Sequence, residues 1–250
     1  MSATASAFSR LRGGERVALF LPCYCDMLYP HIGQAMVGLF ERLGVSLDYP
    51  QEQTCCGQPA FNGGSWPEAR ALARRFAKVF SPYPWIVVPS GSCAAMVKVF
   101  YPYIEAGAQA DELGGRVFDL ASFLVDVLGV VDVGATFAHS VTYHDGCHAR
   151  RELKTSGAAV ALLKAVRGLR YVPLPSIDEC CGFGGLFSVE YERLSASMGR
   201  AKCDNILVTD ADVVTSQDAS CLMHLEGLLE RQRLGKRPRT MHLAEILARP

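Results

Sequence analysis

Ten cysteines stand in a chain of 250 residues, and eight of them form two matching sets. The string Cys-Cys-Gly occurs twice, as Cys55-Cys56-Gly57 and as Cys180-Cys181-Gly182. Cys23 and Cys93 flank the first pair, and Cys147 and Cys221 flank the second. From Cys23 to Cys147, Cys55 to Cys180, Cys56 to Cys181 and Cys93 to Cys221 the shifts are 124, 125, 125 and 128 residues. So constant an offset over four thiols reads as an internal duplication that places sulfur twice in one setting. A mononuclear zinc site also takes four cysteines, but as two Cys-x-x-Cys knuckles, and none of these eight sulfurs is so arranged. Side chains of adjacent residues diverge, which hinders both from reaching one small ion. A cluster of several irons removes that difficulty, because each sulfur binds a different metal atom. Gly57 and Gly182 allow the backbone a positive φ and a close approach to inorganic sulfide. Amides in such loops and at helix N-termini donate to sulfur and offset thiolate charge. The pattern favours an iron–sulfur group over zinc, which is kept as the remote alternative.

Half of the residues are hydrophobic, enough for one large core or two smaller ones. The duplication favours two lobes of ordinary domain size. Formal net charge is zero, so no electrostatic footprint for nucleic acid is visible. The basic stretch from Arg231 to Arg239 is a local exception and reads as a solvated helix end and loop. Val17 to Cys25 is apolar but short, contains Pro22 and runs into Asp26, unlike a secretory signal. No stretch approaches the roughly 20 apolar residues of a membrane span. A cytoplasmic protein is expected, where clustered thiols bind metal or do redox work more often than they form structural disulfides.

The elements that must position the thiols alternate in type. In the first half, strands are expected at Arg16 to Leu21, Val45 to Tyr49, Trp85 to Val88 and Val117-Phe118. Helices are expected over Pro30 to Leu43, Pro67 to Phe80, Ala94 to Ala106 and Leu120 to Leu128. The second half repeats the plan, with strands at Ser140 to Tyr143, Arg170 to Pro173 and Val213 to Thr215. Its expected helices are Gly157 to Val166, Ser188 to Leu207, Leu222 to Leu234 and Leu243 to Leu247. The fold class is α/β: two similar lobes, each a small parallel sheet flanked by helices. A loose tail is expected over residues 1–15, the first cysteine-rich domain over 16–134 and the second over 135–250. In each lobe the cysteines follow strands, so they should converge on the rim at the strands' carboxyl ends, where ligands of such sheets gather.

Strand–Cys, Cys-Cys-Gly and strand–Cys, repeated twice, resemble the cysteine-rich (CCG) domain of iron–sulfur redox proteins. That family includes the cysteine-rich subunit of the heterodisulfide reductases and the iron–sulfur subunits of anaerobic glycerol-3-phosphate dehydrogenase and of glycolate oxidase. Longer strings are closer to the lactate-utilisation protein A branch. They are Cys55-Cys56-Gly57-Gln58-Pro59-Ala60, Pro89-Ser90-Gly91-Ser92-Cys93, Tyr143-His144-Asp145-Gly146-Cys147, Cys180-Cys181-Gly182-Phe183-Gly184-Gly185 and Cys221-Leu222-Met223-His224. The resemblance implies a cytoplasmic electron-transfer subunit of a system that oxidises L-lactate to pyruvate. It implies two 4Fe-4S clusters, one on Cys23, Cys55, Cys56 and Cys93, the other on Cys147, Cys180, Cys181 and Cys221. The implied partners are a larger ferredoxin-like iron–sulfur subunit and a third small subunit. The heterodisulfide reductase pattern closes with Cys-x-x-Cys, whereas Ser90 and Asp218 stand at the upstream partner positions here. That departure favours electron relay over disulfide reduction by this chain, and a heterodisulfide-reductase-like or glycolate-oxidase-like redox subunit is the alternative.

The remaining candidates have bland readings beside the functional ones. His144 and His148 bracket Cys147 and read as donors to sulfur, a proton relay or satisfied structural histidines. His224 reads as an alternative ligand or as none. Cys25 has no counterpart, since Ala149 stands at the matching position, and reads as a bystander thiol, with a ligand role as the lesser alternative. Cys203 reads as a small buried apolar residue. Arg150 and Arg151 either balance charge near Cys147 or form an exposed helix start. Trp66 and Trp85 read as packing.

Overall fold

The computed structural model describes residues 11, 14–232 and 237–250; the tail expected over 1–15 and the middle of the basic stretch lie largely outside them. Two four-stranded sheets, each wholly parallel, share one plan. In the first, β1 (Val17–Leu19), β2 (Leu47–Asp48), β3 (Trp85–Val88) and β4 (Val117–Asp119) run in the order β2-β1-β3-β4. In the second, β5 (Ser140–Tyr143), β6 (Arg170–Tyr171), β7 (Val213–Ser216) and β8 (Arg239–His242) run in the order β6-β5-β7-β8. The duplication read from eight thiols is therefore a duplication of topology.

Local signals account for most elements. The helix Pro30–Arg42 starts on a proline, buries Ile32, Met36, Leu39 and Phe40 on one face, and ends at Gly44 with φ of 73°. The Gly44 N–H donates to Glu41 O (2.9 Å) and the Val45 N–H to Phe40 O (2.9 Å), a glycine-terminated Schellman stop. The departures from expectation that bear on the cysteines are these. The helices carrying Cys93 and Cys221 begin earlier, at Gly91 and Ala219. The expected helix Ser188 to Leu207 is two segments, Phe187–Glu190 and Glu192–Val208, broken at Tyr191. β8 carries no strand signal, because Arg239-Thr240-Met241-His242 is a half-exposed edge strand with little apolar character.

Alternate residues of the central strands serve different layers, as the period of two requires. Leu19, Val87, Val141 and Val213 face one shared central cluster. Ala18, Ile86 and Val88 face the outer layer of the first lobe, and Val214 that of the second. In the centre the closing helix Leu243–Leu247 packs on Pro30–Arg42, and the closing turn Leu120–Ser122 packs on Ser156–Ala165. The closing element of each lobe thus covers a helix of the other. Arg42 fastens this exchange by donating to the carbonyls of Val133 (3.1 Å), Ala248 (2.8 Å) and Leu247. Burying each Leu, Ile or Phe there contributes about 1.5–3 kcal/mol, so the lobes are stabilised largely by one another.

Candidate metal centre

Every lone cysteine of the two sets lies in the first turn of a helical segment at the carboxyl end of a strand. Cys23 opens the helix Cys23–Leu28 directly after Pro22, and Cys147 opens a turn that continues into Ala149–Leu153. Ser90 caps the helix Gly91–Ala95, its Oγ accepting from the Cys93 N–H at 3.2 Å. Helix N-termini favour negative charge, so these positions suit thiolates. The Cys-Cys-Gly strings work by backbone geometry. Gly57 and Gly182 have φ of 89° and 87°. That turn aims the Gly57 N–H at Cys55 Sγ (3.4 Å) and the Gly182 N–H at Cys180 Sγ (3.3 Å).

Within each lobe the four sulfurs form a chain. Cys56 and Cys93 sulfurs lie 3.4 Å apart, and Cys181 and Cys221 sulfurs 3.0 Å apart. Cys23 hydrogen-bonds to Cys55, and Cys147 to Cys180. Hydrogen bonds from Cys23 and Cys56, then from the Gly57 N–H, hold the Cys55 thiol down to about 3. Cys180 is held to about 2 by Cys147 and Cys181, then by the Gly182 N–H. Cys23 and Cys147, the donors in these bonds, are pushed far above the ordinary thiol value. Each quartet therefore holds one stabilised thiolate, at Cys55 or Cys180, and metal binding would release the protons that its two thiol donors keep.

Both quartets open onto a single cleft of about 220 Å³ between the lobes, lined by all eight of these cysteines and by Cys25. Tyr24 of the first lobe meets Phe183 of the second edge-on across it, ring centroids 5.7 Å apart. Cys25 is buried, with Sγ 4.0 Å from Pro89 O. Cys203 lies away from the cleft, its sulfur against Leu225 O at 3.8 Å, and burial pushes its thiol up to about 12. His148 lines the cleft, with Nε2 3.3 Å from Gln58 Nε2 and Nδ1 3.2 Å from Glu152 Oε2. His224 is outside the lining; its ring faces Phe183, and Nε2 is 3.5 Å from Ser195 Oγ. Arg150 reaches Asp145 Oδ2 at 3.3 Å, and Arg151 donates to Asp178 O at 3.4 Å. Trp66 stacks on Phe61, and the Trp85 indole N–H donates to Glu15 Oε2 at 2.9 Å.

His144 is fully buried directly behind the second quartet. Burial, and then the charge of Lys202, pull its imidazole down to about 4, so it is neutral at neutral pH. Lys202 has no motif to mark it in the sequence, yet it is buried and donates to Ser176 O at 2.6 Å. The signal available is a stripe of small or polar residues along one helix face, namely Ser195, Gly199, Lys202 and Cys203.

Asp218, visible in the sequence only as a position lacking sulfur, joins the two lobes. Its carboxylate is 2% exposed, and Oδ1 accepts from Ser90 Oγ (2.9 Å), the Ser92 N–H (3.0 Å) and Ser92 Oγ (2.8 Å). Gly146 and Gly91 make room for this contact. A Cβ on Gly146 would stand 2.4 Å from Asp218 Oδ2, and one on Gly91 2.7 Å from Ala149 Cβ. His242 adds a second tie, with Nε2 2.8 Å from Gln217 O and 3.1 Å from Pro89 O. Asp218→Ala would remove the acceptor shared by one buried and two half-buried donors, and the metal-free protein should lose about 2–4 kcal/mol in urea unfolding. Asp218→Asn, which keeps one acceptor oxygen, should lose less; equal losses would remove the carboxylate from this role.

The donor set discriminates between metal groups. Four sulfurs around one zinc stand about 3.8 Å from one another, given Zn–S bonds of about 2.3 Å. Among the described residues, the group of three donors found within 4.8 Å of one another is His144, Cys181 and Cys221; no three thiols of the first lobe are so gathered. An extended chain of four thiols with inward-facing N–H groups suits a polynuclear group better than one small ion.

The cysteine-rich (CCG) domain family matches residues 17–98 and 141–226. Lactate utilization protein A of Geobacillus kaustophilus is 44% identical over 237 residues, covering 93% of this chain and 98% of that one. The protein of the same name from Oceanobacillus iheyensis is 39% identical, covering 93% and 96%. Among solved structures, an aspartate racemase homologue from Pyrococcus horikoshii aligns over 94% of this chain and 96% of its own. The TM-score is 0.33 at 11% identity, too low to bear on fold or chemistry. No helix among the described residues is long and apolar enough to cross a membrane. With both matched segments centred on the cysteine sets and relatives aligned nearly end to end, the chain belongs to the cysteine-rich CCG domain family, in its lactate utilization protein A branch.

Proposed function

We infer that the protein is the cytoplasmic electron-carrier subunit of a system oxidising L-lactate to pyruvate. In this reading Cys23, Cys55, Cys56 and Cys93 hold one 4Fe-4S cluster, and Cys147, Cys180, Cys181 and Cys221 hold the other. Bound there, such clusters supply one-electron redox steps. Oxidation of lactate to pyruvate releases two electrons, and two sites on one protein match that count. The observation that carries the reading is the shared cleft: two duplicated quartets, each with a glycine N–H on a central sulfur, face one another. The protein's own part is to keep each quartet deprotonated at its centre and to lock the lobes through Asp218 and His242, so that the distance between sites stays fixed. A ferredoxin-like iron–sulfur subunit and a third small subunit are the proposed partners.

Anaerobic purification with iron and sulfide assays tests the proposal. About eight irons and eight sulfides per chain are expected from two 4Fe-4S groups. Zinc retained without sulfide would overturn it. The open cleft also favours a second reading, a redox subunit acting on a small thiol or disulfide held between the quartets. Turnover of a disulfide by the isolated chain with an artificial electron donor would support that reading over simple relay.

A further inference from the structure

The two quartets are alike in sulfur and unlike in charge behind them. The helix against the first Cys-Cys-Gly turn, Trp66–Phe80, buries Ala69, Ala73, Phe76, Ala77 and Phe80. The helix against the second, Glu192–Val208, buries Ser195, Gly199, Lys202, Cys203 and Ile206. Ala77 stands at the position matching Lys202, counting from the second cysteine of each pair. The second lobe thus encloses an ammonium where the first encloses methyl groups and rings. A Cβ on Gly199 would stand 3.0 Å from Cys181 O, so this helix lies directly on the cysteine pair. Lys202 follows three residues later on the same face.

Holding a loop does not by itself explain a buried lysine. The Lys202 ammonium donates to Ser176 O at 2.6 Å and so ties down the segment leading to Cys180. In the first lobe Arg75 makes the equivalent tie to Glu52 O, at 2.9 and 3.2 Å, and stays exposed. Burying a cation is costly unless an opposite charge accompanies it. The acidic residues that act on Lys202, Asp178 and Glu179, are both exposed and screened by water. The opposite charges within its reach and away from open solvent are the sulfurs of Cys180 and Cys181, which metal binding makes thiolates.

The buried carboxylates do not cancel this difference. Asp145 is paired with Arg150 at 3.3 Å. Asp218 lies between the lobes, its Oδ1 held by Ser90 and Ser92 beside Cys93 of the first and its charge felt by Cys147 and Cys221 of the second. Lys202 is enclosed within the second lobe. Reduction adds negative charge to an iron–sulfur group, and the charge around such a group sets its potential. A buried cation acts strongly there because little water screens it.

We propose that the Lys202 ammonium makes the second quartet the more readily reduced of the two, so that an electron entering the cleft settles on the group held by Cys147, Cys180, Cys181 and Cys221. The inference rests on the electron-carrier reading above and adds a direction to it. Each transfer moves one electron, leaving the first group oxidised and the second reduced, and no bond of the chain forms or breaks.

The test is a reductive titration of the anaerobically purified full chain with dithionite and mediator dyes, followed by electron paramagnetic resonance. The wild type should show two waves at different potentials. Cys181→Ser, which removes the second group, should lose the wave of higher potential. Lys202→Gln keeps a donor for Ser176 O without the charge, and should move that wave down towards the other, which stays in place. Lys202→Arg keeps the charge and should hold the upper wave closer to its wild-type position. Coincident waves in the wild type, or loss of the lower wave in Cys181→Ser, overturn the inference whether or not the Lys202 variants fold. An unmoved upper wave in Lys202→Gln with full iron and sulfide also overturns it. In those cases the carrier reading stands, whereas a wild type without iron and sulfide overturns both.

Discussion

Cys181→Ser is expected to remove about half of the iron and sulfide bound per chain and to lower the thermal stability of the second lobe, because metal binding and folding are coupled. Cys181 is 3% exposed, with its sulfur 3.0 Å from that of Cys221 and beside Cys180. A serine oxygen is a harder ligand on a shorter bond, and it breaks the chain of sulfurs in the middle. The first lobe should keep its share, because Cys181 belongs to the outer cluster of the second lobe and not to the central cluster that the lobes share. Cys203→Ser is the control, since that thiol is buried away from the cleft. Iron and sulfide assays on anaerobic protein check both variants. Full retention in Cys181→Ser would take this cysteine out of the ligand set.

Gly182→Ala should be the most damaging of the conservative changes, and Gly57→Ala markedly milder, although the two glycines occupy equivalent turns. Both have a positive φ, 89° at Gly57 and 87° at Gly182, which costs an L-residue about 1–2 kcal/mol. They differ in what surrounds the missing Cβ. At Gly57 the nearest atom would be Ala69 O at 3.4 Å, an ordinary contact. At Gly182 it would be Ser195 O at 2.4 Å, then Gly199 N at 3.0 Å. Those are backbone atoms of the helix Glu192–Val208, which cannot swing aside like a side chain. The same helix is tied to the turn by Ser195 Oγ, which donates to Gly182 O at 2.7 Å. Urea unfolding of the reduced, metal-free protein should show a loss of about 3–5 kcal/mol for Gly182→Ala against about 1–2 kcal/mol for Gly57→Ala. Equal losses would mean that the helix yields freely and that only backbone conformation matters.

What the amino-acid order determined by itself is local or repetitive. Spacing of eight thiols, apolar runs in β1, β3, β5 and β7, the stop at Gly44 and the glycine after each cysteine pair were all legible. Each depends on residues near one another in the chain or on a repeat that can be counted. Tertiary structure alone decided that the two quartets share one cleft, that Asp218 holds Ser90 and Ser92, and that His144 stands against Cys181 and Cys221. The reason is physical. The shared cleft and the Asp218 contacts join different lobes held together across the central cluster, whereas His144 meets its cysteines where segments of one lobe converge at the rim of its sheet. Burial turns an ordinary aspartate into a cross-lobe fastener.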